Sequence, residues 1–208
     1  MIISYLGKQF FKIQQGDLVV AFNPISRESK DSSKISRFGS AIALSTINHP
    51  DYNGFESVSH GETVPFAIHG PGDYEIRDIF IKGIMTETTI DKKKYINTIY
   101  MLTIENISLC FLGAISSKKI DAAVRGQIES SDIIFVPVGN EELMTTAEAY
   151  KLAVSLEPKI IIPMDYDDKT LKAFLKEGGQ DTVKPIDKLT IKAKELSGRE
   201  GEIIVLSS

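Results

Sequence analysis

Apolar and polar positions alternate in short runs through the first half of the chain and lengthen into helical stripes in the second. Residues 2–6, 10–14 and 18–22 read as three short strands separated by Gly7 and Gly16, and residues 41–45 as a buried strand. The middle is strand-rich, with runs at 64–68, 73–75, 79–84, 98–105 and 108–112. Asn106 marks a tight turn between the last two, without the usual Asn-Gly pair. Lys92-Lys93-Lys94, in the polar segment before residue 98, reads as a solvated hairpin tip, where lysines deter edge-to-edge pairing.

Further on, 133–136 and 159–162 are continuous apolar runs, the pattern of strands buried on both faces. Between them Thr145 and Glu148 form a capping-box signature, and Ala149, Leu152, Ala153 and Leu156 make one apolar stripe at helical spacing. Pro158 stops that helix. Asp168 is the expected cap of a second helix that buries Leu171, Phe174 and Leu175 and ends at Gly178-Gly179. Residues 183–206 add two or three short strands, with a turn at 198–201.

With 208 residues, 42% hydrophobic and 25% charged, the chain can bury a substantial core, so it reads as one globular domain over 1–208. No apolar run approaches the roughly 18 residues that span a bilayer. The start, Met1-Ile2-Ile3-Ser4, lacks a basic leader, so a cytoplasmic location without a membrane partner is expected. Cys110 lies in an apolar strand and reads as a small buried hydrophobe. A net charge of −4 gives no global attraction to nucleic acid. Residues 26–40 carry Arg27, Lys30, Lys34 and Arg37, but Glu28 and Asp31 interrupt the charge and no aromatic residues interleave for base stacking. That segment reads as an exposed loop.

One heptapeptide carries candidate chemistry: Thr46-Ile47-Asn48-His49-Pro50-Asp51-Tyr52, directly after the strand at 41–45. It resembles the metal loop T-H-x-H-x-D-H of the metallo-β-lactamase superfamily. Other blocks follow in family order. The opening Ile3-Ser4-Tyr5-Leu6-Gly7-Lys8-Gln9-Phe10-Phe11-Lys12-Ile13 is like the first strands of the branch that includes L-ascorbate-6-phosphate lactonase and Zn-dependent hydrolases. Val20-Ala21-Phe22-Asn23-Pro24 resembles its L-I-D-P, and Gly70-Pro71-Gly72-Asp73-Tyr74-Glu75-Ile76 its G-P-G-E-Y-E-V. Cys110-Phe111-Leu112-Gly113-Ala114 resembles C-H-L-G-D, and Pro158 through Tyr166 resembles P-K-I-V-I-P-M-H-Y. The resemblance covers residues 1 to about 166 and implies the four-layer αββα sandwich of that superfamily, with a metal-dependent hydrolase's cup at its mouth.

The same positions argue against the family's two-zinc chemistry. Ile47, Tyr52, Phe111 and Ala114 stand where the resemblance implies ligands, and none is a plausible zinc donor at neutral pH. Asn23 stands where the resemblance implies the aspartate of L-I-D-P, a charge of the kind that orients ligand histidines and raises their basicity. His49, Asp51 and Asp165 are left to converge on the cup as a reduced metal site, a donor set suited to one Mn²⁺, Fe²⁺ or Zn²⁺ held weakly. His60 and His69 match no ligand position and read as surface or loop histidines. Lys8 stands where the family has a histidine, so its ammonium is expected to pair with Asp51 or Asp165 in place of metal charge.

Zinc lowers the pKa of bound water from about 15.7 to about 7, whereas a lone general base contributes a factor of roughly 10² to 10⁴. No G-x-S-x-G, P-loop or dinucleotide motif offers another mechanism. The expected function is therefore a pseudoenzyme: a non-catalytic binding or assembly module, without a cofactor, whose partner is a small molecule or protein and which is free to form homo-oligomers. The alternative is a metal-dependent hydrolase of a sugar-phosphate lactone or phosphoester, using one ion on His49, Asp51 and Asp165.

Overall fold

The computed structural model describes residues 1–32, 37–116, 120–128 and 130–208. Lys34, one of the basic residues of the 26–40 segment, lies outside them. The predicted strands form two mixed sheets. In the first, β1 (Ile2–Tyr5), β2 (Phe11–Gln15) and β3 (Leu18–Phe22) make an antiparallel meander. β4 (Ile42–Leu44) and β5 (Phe66–Ile68) continue it in parallel, and β12 (Leu189–Thr190) closes the other edge against β1.

The second sheet starts with the antiparallel run β6 (Gly72–Ile76), β7 (Ile79–Ile90), β8 (Lys93–Ile104) and β9 (Ile107–Phe111). It changes to parallel pairing through β10 (Ile133–Pro137), β11 (Ile160–Met164) and β13 (Glu202–Ile203). Each hairpin of this run turns on two residues at positive φ, Arg77-Asp78, Asp91-Lys92 and Glu105-Asn106, the backbone of a type I′ turn. The turn at Asn106 thus forms without glycine. Of the three lysines expected at the tip, only Lys92 is in the turn; Lys93 and Lys94 already pair with Ile90 and Thr89.

The sheets face each other across one core. Ile3, Phe11, Ile13, Phe22, Ile42 and Leu44 meet Ile81, Tyr100, Leu102, Leu109, Phe111 and Phe135 there, all essentially inaccessible to water. Alternation places these side chains inward, and their burial is the main favourable contribution to folding. Helices α2 (Thr146–Ser155) and α3 (Asp168–Glu177) cover the outer face of the second sheet with Ala149, Leu152, Phe174 and Leu175. The Thr145–Glu148 capping box is present. The cap of α3 is Asp167, one residue before the expected Asp168, because the Asp167 carboxylate reaches the Thr170 amide while Thr170 returns the bond. A one-turn helix, α1 (Ala122–Arg125), had no periodic signal to announce it.

The outer face of the first sheet is covered differently. Phe10, Ala21, Ile25 and Ala43 pack under Phe38, Phe55 and Val58, contributed by the segment after β3 and a 3₁₀ turn at Phe55–Val58. The expected exposed loop at 26–40 is therefore only partly exposed: Ser26, Ser29 and Ser40 are buried, while Arg27, Glu28 and Lys30 face water. Composition concealed this because the buried side chains are serines held by hydrogen bonds. Cys110 is buried as expected, and burial pushes its thiol up to about 12, so no thiolate is available at neutral pH. Among the described residues no helix is long and apolar enough to cross a membrane.

Candidate functional site

Three strand ends supply the site, and each bends through a non-glycine residue in the left-handed region. Lys8 (φ 52°) follows β1, Asn23 (φ 46°) follows β3 and Asp165 (φ 55°) follows β11. Such conformations cost free energy and persist where surrounding contacts over-determine them. Those contacts are present. The Asp165 amide donates to the Lys8 carbonyl at 2.7 Å, and the Tyr5 hydroxyl donates to the same oxygen at 2.8 Å. Gly139 lies so close that a Cβ there would stand 1.8 Å from the Asp165 carbonyl oxygen. The Asn23 amide donates to Leu44, the last residue of β4.

Lys8 is the polar centre. Its Nζ lies 2.5 Å from Asp51 Oδ2 and 2.7 Å from Asp31 Oδ2. Ser29 Oγ donates to the other Asp51 oxygen at 2.5 Å, so both oxygens of that carboxylate are engaged by the protein. Of the two expected partners of Lys8, the structure selects Asp51. Asp165 makes no salt bridge with it among the described residues, and Asp31, from the segment expected to be an exposed loop, is the second partner.

Burial alone would push Lys8 down, but hydrogen bonds to Asp31 and Asp51 and their charges outweigh it and hold the ammonium above its ordinary value. Burial would likewise push Asp51 up, and the bonds from Lys8 and Ser29 with the Lys8 charge bring it below its ordinary range. Asp165 goes the other way. Its carboxyl is raised, first by burial, with Lys8 and Gln9 opposing and the negative fields of Asp51 and Asp31 adding to the rise.

Gln9 was not singled out by its sequence position, although a glutamine before Phe10-Phe11 at a strand turn is a polar residue with no obvious outlet. It is fully buried. Its amide donates to Asp165 at 3.5 Å, and its carbonyl accepts from Asn23 Nδ2 at 3.2 Å. Asn23 also donates to Thr46 Oγ1 and accepts from the Thr46 amide, which ties the β3 end to the start of the heptapeptide. Asn23 thus orients backbone and glutamine rather than a histidine.

His49 serves its own loop. Its Nδ1 accepts from the Asp51 amide at 3.2 Å and stands 3.9 Å from Asp51 Oδ2, and its ring meets Tyr52 and Tyr95 edge-on. Of the other implied ligand positions, Ile47, Tyr52 and Ala114 are buried together in an apolar cluster with Ile90 and Leu143. Phe111 is elsewhere, in the core between the sheets, stacked on Phe22 at 4.5 Å. Burial, then the fields of Asp165 and Asp51, push the Tyr52 phenol well up, so it stays protonated and neutral. His60 and His69 are exposed.

The donor chemistry does not fit a two-zinc centre. Asp51 already holds an ammonium on one oxygen and a hydroxyl on the other, His49 Nδ1 accepts from an amide, and burial raises the Asp165 carboxyl. Among the described residues no three of His, Cys, Asp or Glu are arranged to hold an ion. The electrostatics are those of an internal ion pair in a partly dry recess.

Two mixed sheets with helices outside and a degenerate His-Asp loop at the strand ends define a metallo-β-lactamase fold. The chain belongs to the β-lactamase superfamily domain family, whose profile matches residues 2–165. Solved structures agree on the fold. A proposed Zn-dependent hydrolase of the metallo-β-lactamase superfamily from Thermotoga maritima superposes with TM-score 0.77 at 23% identity, over 99% of this chain and 97% of that one. A proposed metal-dependent hydrolase from Parabacteroides distasonis gives 0.68 at 17% identity, over 99% and 93%. An isothiocyanate hydrolase from Delia radicum gut bacteria gives 0.67 at 10% identity, over 93% and 100%. No curated protein matches the chain.

Proposed function

We propose that this chain is a non-catalytic binding or assembly module on a hydrolase fold, in which Lys8 supplies the positive charge at the cup. The observation that carries this reading is the engagement of both Asp51 oxygens, one by Lys8 and one by Ser29. A metal ion would have to displace a hydrogen-bonded ammonium 2.5 Å away and would then find few further donors. The test is metal analysis of protein purified without chelator, followed by thermal denaturation with added zinc. Well under one equivalent of zinc and little change in melting temperature are expected. Stoichiometric zinc with a large rise on reconstitution overturns the reading, because tight binding to the native state stabilises it by several kcal/mol at saturating metal.

A second reading is a metal-dependent hydrolase, acting on a sugar-phosphate lactone or phosphoester, with one ion on His49, Asp51 and Asp165. The structurally similar proteins favour it over the first reading, since two of them are described as proposed metal-dependent hydrolases. The side chains of this cup favour the first. In the second reading Lys8 must release Asp51 when the ion enters. Mn²⁺ or Fe²⁺ should then support hydrolysis of a phosphodiester or lactone, and Asp51→Ala should abolish it. Activity unchanged in that variant removes the site from consideration.

A further inference from the structure

Beside the cup, on the other flank of the heptapeptide, lies a cavity of about 380 Å³ between the end of β4, the end of β5 and the start of β8. Its lining includes Asn48, His69, Lys93, Lys94, Tyr95 and Thr98, and it contains no carboxylate. That is unusual in a chain with a net charge of −4. Four other cavities on the molecule each carry at least one Asp or Glu in their walls. Neither lysine forms a salt bridge among the described residues; Lys93 instead rests over the Tyr95 ring at 5.1 Å. Carboxylates stand outside this lining: Glu87 pairs with Ile96 across the β7–β8 ladder, and at the hairpin tip the Asp91 amide donates to Glu142.

The floor of this cavity is built rigidly. The Tyr100 hydroxyl accepts from the Gly70 amide and lies 3.0 Å from the Ser45 carbonyl and 3.2 Å from that of Gly70. The Thr98 amide donates to Thr46, joining the two sheets directly beneath. Asn48 accepts from Asn53 through its carbonyl, which fixes the amide and leaves its NH₂ to act as a donor. Cationic and neutral donors over a fixed floor, with no competing carboxylate in the lining, select an oxyanion of high charge. Tyr95, Ile96 and Pro71 add apolar wall, which suits an organic group on that anion. The volume is at the small end of the roughly 300–1,000 Å³ typical of ligand sites.

We propose that this cavity binds a small soluble phosphate monoester, held by Lys94 and His69, with Lys93, which alternation turns to the other face of β8, adding longer-range positive charge. The proposal goes beyond the reading of the cup and does not depend on whether metal binds there. It is tested by calorimetric titration of the intact protein with phenyl phosphate at low ionic strength. Saturable binding at a single site is expected, roughly tenfold or more weaker in Lys93→Ala/Lys94→Ala. It should be retained in Lys93→Arg/Lys94→Arg, which keeps the charge, and in Lys8→Met, titrated under conditions where circular dichroism shows that variant fully folded. Absence of saturable binding overturns the proposal. So does equal affinity in the double alanine variant, or loss in Lys8→Met, which would put the anion at the cup. Binding of an oligonucleotide without binding of phenyl phosphate also overturns it, since that marks an open basic surface rather than a cavity.

Discussion

Lys8 and Asp51 are 43 positions apart in sequence, yet their charged atoms stand 2.5 Å from each other at the end of β1, with side chains only 30% and 18% exposed. At that exposure the pair is shielded enough for its loss to be felt. Removing one partner leaves the other desolvated and unpaired, so Lys8→Met should destabilise the fold by about 1–3 kcal/mol near neutral pH. Lys8→Met combined with Asp51→Asn should recover part of that loss. Urea denaturation of the four proteins measures both effects.

The pair also sets a pH window. Asp51 is held below its ordinary 3.8, so its contribution is present above that value and is lost as pH falls through the lower native one. Lys8 is held above its ordinary 10.5, so its contribution is present below that value and is lost as pH rises through the native one. The stability gap between wild type and Lys8→Met should therefore be flat between about pH 5 and 9 and should narrow in acid and in strong alkali. A gap independent of pH at both extremes would show that Lys8 acts through packing alone.

Asp165 should behave in the opposite sense. A carboxyl whose native value lies above its ordinary 3.8 binds its proton more tightly when folded, so the fold loses stability as pH rises through that interval. Asp165→Asn keeps an acceptor for Gln9, tolerates the left-handed backbone and cannot ionise. It should be more stable than wild type at pH 7, with the advantage shrinking as pH falls toward 3.8. Equal melting temperatures at both pH values would contradict the raised value.

Restoring a family carboxylate should fail. Ala114 is fully buried among Ile47, Tyr52, Ile90 and Leu143, so Ala114→Asp places an unpaired carboxylate in an apolar cluster. The expected cost is about 2–4 kcal/mol in denaturant unfolding. Added zinc should not recover it; full recovery by zinc would show that the cup still assembles a metal site.

Gly113→Ala should be similarly harmful for a different reason. Gly113 has φ +64°, and a Cβ there would stand 2.5 Å from Asn97 Oδ1 and 2.6 Å from Thr46 Cβ. Asn97 Oδ1 is the acceptor for the Ala114 amide, so the clash opens a buried bond as well. A loss of about 2–4 kcal/mol is expected; a fully stable variant would mean that this strand end can shift.

Strand positions were legible because alternation and continuous apolar runs report burial directly, and the helices because the Thr145–Glu148 box and Pro158 bracket one of them. Boundaries were less so. β7 and β8 run far beyond the apolar positions that suggest them, since Thr86, Thr88 and Asn97 are buried polar residues inside the ladder. At the site, Lys8 and Asp51 could be paired from the family register. Ser29, Asp31 and Gln9 could not, because hydrogen bonds fold a serine-rich segment back onto the cup without leaving any periodicity in the chain.

The cation at this cup is part of the polypeptide. The counter-charge that Asp51 holds from Lys8 therefore comes with translation itself, at fixed stoichiometry and with no loading step. A chelator has nothing to withdraw from that ion pair, because both of its charges are covalent parts of one chain.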